Sequence, residues 1–73
     1  MRDPHQWQSW DDFLAACGFT TLCGARQVEG MYEWLVGCGY IETRLLEGGA
    51  GYHYRLRADL SVDAFASLVM LCE

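Results

Sequence analysis

The spacing of apolar residues changes once along this chain, and that change constrains the fold more than any other feature of the sequence. Up to residue 39 apolar side chains recur every three or four positions, as on one face of an amphipathic helix. From Tyr40 onward they recur at every second position, as in a strand with one buried face. A glycine-rich stretch at residues 48–51 divides the second pattern into two halves. The sequence therefore predicts helices followed by a β-hairpin.

Capping and stop signals divide the helical parts into segments. Ser9, Ser61 and either Thr20 or Thr21 can cap helix N-termini, and Gly39 can end a helix. The expected helices cover residues 10–17, a short turn at 22–24, residues 25–38 and residues 62–71.

The alternating pattern also predicts how the two strands pair. A four-residue loop at residues 48–51 places Leu45 opposite Tyr54 and Arg44 opposite Arg55. This register collects the apolar side chains on one face, whereas a slip of one residue would mix the two faces. We expect the arginines to lie on the solvent face.

Length and composition predict one domain over residues 1–73, with residues 1–6 as a flexible tail. A chain of 73 residues is near the lower limit for a single apolar core, but 52% of its residues are hydrophobic. No apolar run approaches the roughly 20 residues that cross a bilayer, so we expect no membrane partner. The first residues lack the apolar segment of a signal peptide, and we expect a cytoplasmic location.

The cysteines are expected to be reduced thiols. Their spacing lacks the close pairs typical of zinc sites, and each lies among apolar residues. The four are Cys17, Cys23, Cys38 and Cys72. We therefore expect packing roles, with no metal and no other cofactor.

Residues 24–57 resemble the winged helix-turn-helix family. Val28, Tyr32 and Leu35 precede Gly39 at the spacing of that family's recognition helix, and Tyr-Ile-Glu follows at residues 40–42. The resemblance implies an α+β, winged-helix-like domain with three N-terminal helices, a β-hairpin wing and a C-terminal helix. Winged helices bind DNA in some proteins and other proteins elsewhere, so the fold alone does not choose between these partners.

The third helix carries the first candidate binding surface. By the resemblance, its outward residues are Arg26, Gln27, Glu29, Gly30 and Glu33. Glu29 and Glu33 would repel DNA phosphates, so a protein partner is favoured, and an ordinary solvated face is the alternative. Gly30 inside a helix suggests close approach, either by a partner's backbone or by the protein's own first helix.

The wing carries the second candidate surface, with a partner-binding or phosphate-binding cluster at Arg44, His53, Arg55 and Arg57. A solvated sheet face balanced by nearby glutamates is the alternative.

The last helix is apolar around most of its circumference. A subunit contact through Phe65, Val69 and Met70 would explain this pattern and would make the protein a homodimer. Packing inside the monomer is the alternative.

The sequence contains no nucleophile elbow, phosphate-binding loop or His–carboxylate motif, so we expect a protein without enzymatic activity. The net charge of −5 favours an acidic winged-helix interaction module that binds another protein as an adaptor or inhibitor. By analogy, one such role is that of a phage-encoded inhibitor of a nucleic-acid-handling defence complex. The alternative is a winged-helix transcriptional regulator that binds duplex DNA through the arginine-rich wing.

Overall fold

The structure, a computed structural model, describes residues 3–71, the side chain of residue 71 excepted. It has an α+β fold in which three helices precede an antiparallel hairpin and a fourth helix follows it. The elements are α1 (Trp10–Ala16), α2 (Leu22–Gly30), α3 (Tyr32–Gly37), β1 (Ile41–Leu45), β2 (Tyr52–Leu56) and α4 (Val62–Leu71), with a 3-10 turn at Glu47–Gly49. The expected α+β fold class is confirmed, and the order of helices, hairpin and C-terminal helix is consistent with a small winged-helix-like domain.

Hydroxyl side chains start three of the helices, as the sequence predicts. Ser9, Thr21 and Ser61 each accept a hydrogen bond from the backbone N–H three residues later, at 3.3, 3.1 and 3.1 Å. Gly39 follows α3 with a φ of +81°, a conformation that side chains with a Cβ rarely adopt. These local signals therefore set where α1, α2 and α4 begin and where α3 ends.

The break between the second and third helices lies later in the chain than expected, after Gly30 rather than after residue 24. We expected a short turn at residues 22–24, but α2 continues through them to Gly30, and Met31 leaves the helical conformation with φ −102° and ψ 4°. Glycine weakens a helix interior, and here it is the last residue of α2. Apart from its chain neighbours and its own helix, nothing in residues 3–71 lies within 4 Å of where a Cβ at Gly30 would be, which rules out the alternative of a close approach by the first helix.

The hairpin register differs from the predicted one by two residues. Leu45 pairs with Tyr52 rather than Tyr54, and Arg55 faces Glu42 rather than Arg44. A shift by two keeps the same side chains on each face, so the apolar pattern cannot distinguish these registers. The observed one replaces an arginine–arginine pair by a glutamate–arginine pair.

Residues 3–6, expected as part of a flexible tail, make hydrogen bonds with the folded domain. The Leu56 N–H donates to the Pro4 carbonyl at 2.8 Å, and Gln8 and Tyr54 exchange two backbone hydrogen bonds of 3.1 and 2.8 Å. The segment therefore pairs along the outer edge of β2. Residues 1 and 2 lie outside the described residues.

The core joins all four helices to the hairpin. Its buried members are Phe13, Leu14, Cys17, Val28, Leu35, Ile41, Leu56, Phe65 and Val69.

The apolar side of α4 lies against the protein's own core. Phe65 is fully buried, with its ring centroid 6.0 Å from that of Phe13 and 5.9 Å from that of Phe19. Val69 is also fully buried, whereas Met70 is 60% exposed. Intramolecular packing, the alternative to a subunit contact, therefore covers Phe65 and Val69, and of the three predicted contact residues Met70 stays exposed.

The cysteines within the described residues are free thiols, and one of them is shielded. Cys17 is buried, and burial raises the pKa of its thiol to about 12. Cys23 and Cys38 are exposed. Cys72 lies outside the described residues.

Alkylation of the native protein should distinguish these thiols. Only the thiolate reacts rapidly, so at neutral pH Cys17 should stay unmodified while Cys23 and Cys38 are labelled. Adding denaturant should expose Cys17 and allow its modification. Peptide mass spectrometry with and without denaturant measures this difference, and equal labelling of Cys17 and Cys23 in the native protein would contradict the buried position.

Candidate functional site

Two of the wing arginines stack on an aromatic side chain from the segment before α1. The guanidinium carbons of Arg44 and Arg55 lie 4.7 and 4.3 Å from the ring centroid of Trp7. The Arg55 Nε also donates a 2.7 Å hydrogen bond to Glu42 Oε1. Within the monomer, Arg44 and Arg55 thus both make cation–π contacts with Trp7, and Arg55 also pairs with Glu42.

The third wing arginine is also occupied. The Arg57 Nε donates a hydrogen bond to Asp59 Oδ1, and its guanidinium carbon lies 5.4 Å from the Tyr40 ring centroid. His53, opposite Arg44 in the hairpin, is half-buried, and its Nδ1 has no hydrogen-bond partner in the described part of the chain. The predicted wing residues thus lie together on the hairpin. Each of the three arginines, however, already contacts an aromatic ring or a carboxylate of its own chain.

Trp7, in the segment before α1, contacts the wing, and this contact was not predicted from the sequence. It precedes the capping residue of α1 and belongs to neither the helical nor the alternating apolar pattern. The sequence did offer one signal for this contact. A tryptophan outside both apolar patterns, in a chain that has arginines and no lysine, indicates stacking, since arginine stacks readily on tryptophan.

Of the residues predicted to form the binding surface of the third helix, one makes a hydrogen bond within the protein and the others are exposed to solvent. Gln27 is half-buried, and its amide donates to the Val69 carbonyl at 3.4 Å. The others are exposed: Arg26, Glu29, Gly30 and Glu33. Neither glutamate makes an ion pair with any residue from 3 to 71.

Trp34, which the sequence analysis did not single out, lies beside these residues in the chain. It is 46% exposed, although its ring centroid is 5.7 Å from that of Tyr40. We call Glu29, Gly30, Glu33 and Trp34 the helix-break surface, because they flank the break at Met31. It combines two carboxylates that have no ion pair within residues 3–71, an open backbone position and a large aromatic side chain.

Among residues 3–71, no cluster of three or more His, Cys, Asp or Glu side chains could hold a metal ion. None of the helices in that part of the chain has the length and apolar character to cross a membrane. Comparison with protein-family models, curated proteins and solved structures finds no match for this chain.

Replacing Trp7 by alanine should destabilise the protein by about 1–2 kcal/mol, because two arginine contacts worth roughly 0.5–1 kcal/mol each are lost. Trp7→Phe should lose less, since phenylalanine keeps a weaker aromatic face. Urea unfolding followed by circular dichroism measures both variants. Equal stability of Trp7→Ala and the unmodified protein would show that the stacking contributes nothing.

Proposed function

We propose that this protein is an acidic, winged-helix-like interaction module without enzymatic activity, which binds another protein through the helix-break surface. The observation that carries the proposal is that two of the three wing arginines are ion-paired within the monomer, Arg55 with Glu42 and Arg57 with Asp59. Within residues 3–71 no carboxylate offsets the charge of Arg44, so the wing has few cations left for phosphates, while Glu29 and Glu33 make no ion pair in the same part of the chain.

Charge argues against duplex DNA as the main partner. Binding to DNA gains affinity by neutralising phosphates, and strong binders make about 6–10 such contacts. Here Arg55 and Arg57 already pair with carboxylates, and the net charge is −5. DNA that approached α2 and α3 would also meet Glu29 and Glu33, which the winged-helix resemblance assigns to the recognition helix. Random-sequence duplex should bind weaker than about 10 μM at physiological salt, within the non-specific range.

A protein partner with a basic surface would be attracted by the same carboxylates that repel DNA. Glu29 and Glu33 are exposed and can pair with arginines or lysines of a partner. Trp34 supplies the kind of large, half-exposed side chain that often dominates interface energy. One such partner is a protein with a basic surface that normally binds nucleic acid. By covering that surface, this protein would inhibit a nucleic-acid-handling complex.

The test begins with capture of a partner from nuclease-treated extract of cells in which the protein is native. Binding is then measured by surface plasmon resonance. Trp34→Ala should weaken it at least about tenfold, as expected for a central aromatic contact. The double variant Glu29→Arg, Glu33→Arg should slow association by about tenfold or more at low salt, because electrostatic steering is reversed.

Matched controls separate a binding effect from a folding effect. Leu22 is 69% exposed and lies at the start of α2, away from the break, so Leu22→Ala should bind normally. A tight, sequence-specific duplex complex that is lost on Arg44→Ala would instead support the DNA-binding regulator.

A further inference from the structure

The two edges of the hairpin differ in how their backbone groups are satisfied. Residues 4–8 cover the outer edge of β2 through bonds to Tyr54 and Leu56. The outer edge of β1 has no backbone partner within residues 3–71. An unpaired strand edge can accept a strand from another chain, and proteins often cover such edges. Within residues 3–71, one edge of the hairpin is therefore covered and the other is open.

Hydrogen bonds at the two ends of β1 show which of its residues face outward. The Arg57 N–H donates to the Tyr40 carbonyl at 3.0 Å, and the Leu46 N–H donates to the Gly51 carbonyl at 2.9 Å. Even-numbered residues in this stretch therefore turn their backbone groups toward β2, and odd-numbered residues turn theirs away. The outward-facing residues are Ile41, Thr43 and Leu45.

The sequence of β1, Ile-Glu-Thr-Arg-Leu, is chemically self-complementary about its centre. Two antiparallel copies centred on Thr43 place each Glu42 opposite Arg44 of the other copy, and each Ile41 opposite Leu45. A shift of two residues in either direction would instead place glutamate opposite glutamate or arginine opposite arginine. Opposite charges across a strand pair stabilise it and like charges destabilise it, so one register is selected.

We propose that β1 binds β1 of a second copy of this chain, antiparallel and with the two-fold axis at Thr43. Thr43 and its counterpart exchange two backbone hydrogen bonds, since the outward N–H and C=O groups of each face the other. Leu45, 61% exposed in the monomer, then lies beside Ile41 of the second copy on the apolar face. The two hairpins form one continuous sheet, and Glu42 lies between Arg55 of its own chain and Arg44 of the second.

This contact is independent of the proposed function, because the helix-break surface contributes no residue to β1. It also assigns a homodimer to a different element from the α4 contact that the sequence suggested.

Charge exchange between two variants tests the proposed register. Glu42→Arg alone and Arg44→Glu alone each place like charges opposite one another at both pairs between residue 42 of one copy and residue 44 of the other. Each should therefore raise the dimer dissociation constant by about tenfold or more. An equimolar mixture of the two variants restores attraction at both pairs, so it should form a heterodimer. Sedimentation velocity over a concentration series measures this, with circular dichroism confirming that each variant folds.

A second variant tests the backbone contact. Thr43→Pro removes an N–H that the monomer does not use, and proline is tolerated on an edge strand in that position. It should stay folded and monomeric while the unmodified protein associates. An unmodified protein that sediments as a monomer at every concentration would overturn the proposal, as would a mixture of charge variants that fails to associate. Loss of the dimer in Met70→Glu but not in Thr43→Pro would also overturn it, in favour of α4.

Discussion

Replacing Phe65 by alanine should lower the free energy of unfolding by about 3–5 kcal/mol, the usual cost of removing a buried phenylalanine. Its ring is fully buried and meets the rings of Phe13 and Phe19, so truncation leaves a cavity between α4 and the segment around α1. A domain this small has a total stability of similar size. We therefore expect Phe65→Ala to be largely unfolded without a stabilising additive.

Met70→Ala is the matched control, because Met70 lies on the same helix and is 60% exposed. Its effect should stay within about 0.5 kcal/mol, as for most surface substitutions. Guanidinium unfolding followed by far-UV circular dichroism compares the two variants. A stable Phe65→Ala protein would mean that α4 does not pack where the structure places it.

Replacing Leu56 by alanine should cost about 2–5 kcal/mol. Leu56 is fully buried at the end of β2, it pairs with the buried Ile41, and its N–H binds the Pro4 carbonyl. The substitution removes one of the buried side chains through which the hairpin packs against the helices. Thermal and urea unfolding of Leu56→Ala measure this loss.

Leu45→Ala serves as the control in the same hairpin and also tests the register. Leu45 shares a sheet face with Leu56 but lies near the exposed tip, opposite Tyr52. Its loss from the monomer should cost well under half as much as that of Leu56, because little apolar surface is buried there. A Leu45→Ala variant as unstable as Leu56→Ala would favour the register in which Leu45 faces Tyr54.

Local signals in the sequence were sufficient for the element order and the fold class. A capping hydroxyl such as Ser9 acts on backbone groups three residues away, and Gly39 acts through its own conformation. The change of apolar spacing at Tyr40 likewise depends only on neighbouring residues. Features of this kind can be predicted without knowing what packs against them.

Features that depend on distant residues could not be predicted in the same way. Two registers of the hairpin bury the same side chains, and the choice between them involves the Glu42–Arg55 pair and the turn geometry. The arginines were expected in solvent because nothing in the local sequence indicates that Trp7 folds back onto the wing. The apolar spacing in α4 correctly predicted a helix. Whether its apolar side packs against the protein's own core or against a second subunit depends on how much apolar surface the other elements offer, which local sequence does not show.

The pairing of residues 4–8 with β2 also affects the order in which the fold can be completed. During synthesis this segment leaves the ribosome before Tyr54 and Leu56, to which it bonds, because those two residues come much later in the chain. Contacts between residues so far apart in sequence carry a large loop-closure cost and form late. Until they form, both edges of the hairpin are open, and β2 can pair with strands of other chains. The covered edge of the native protein is therefore exposed in the nascent chain, where it is a site for misassembly.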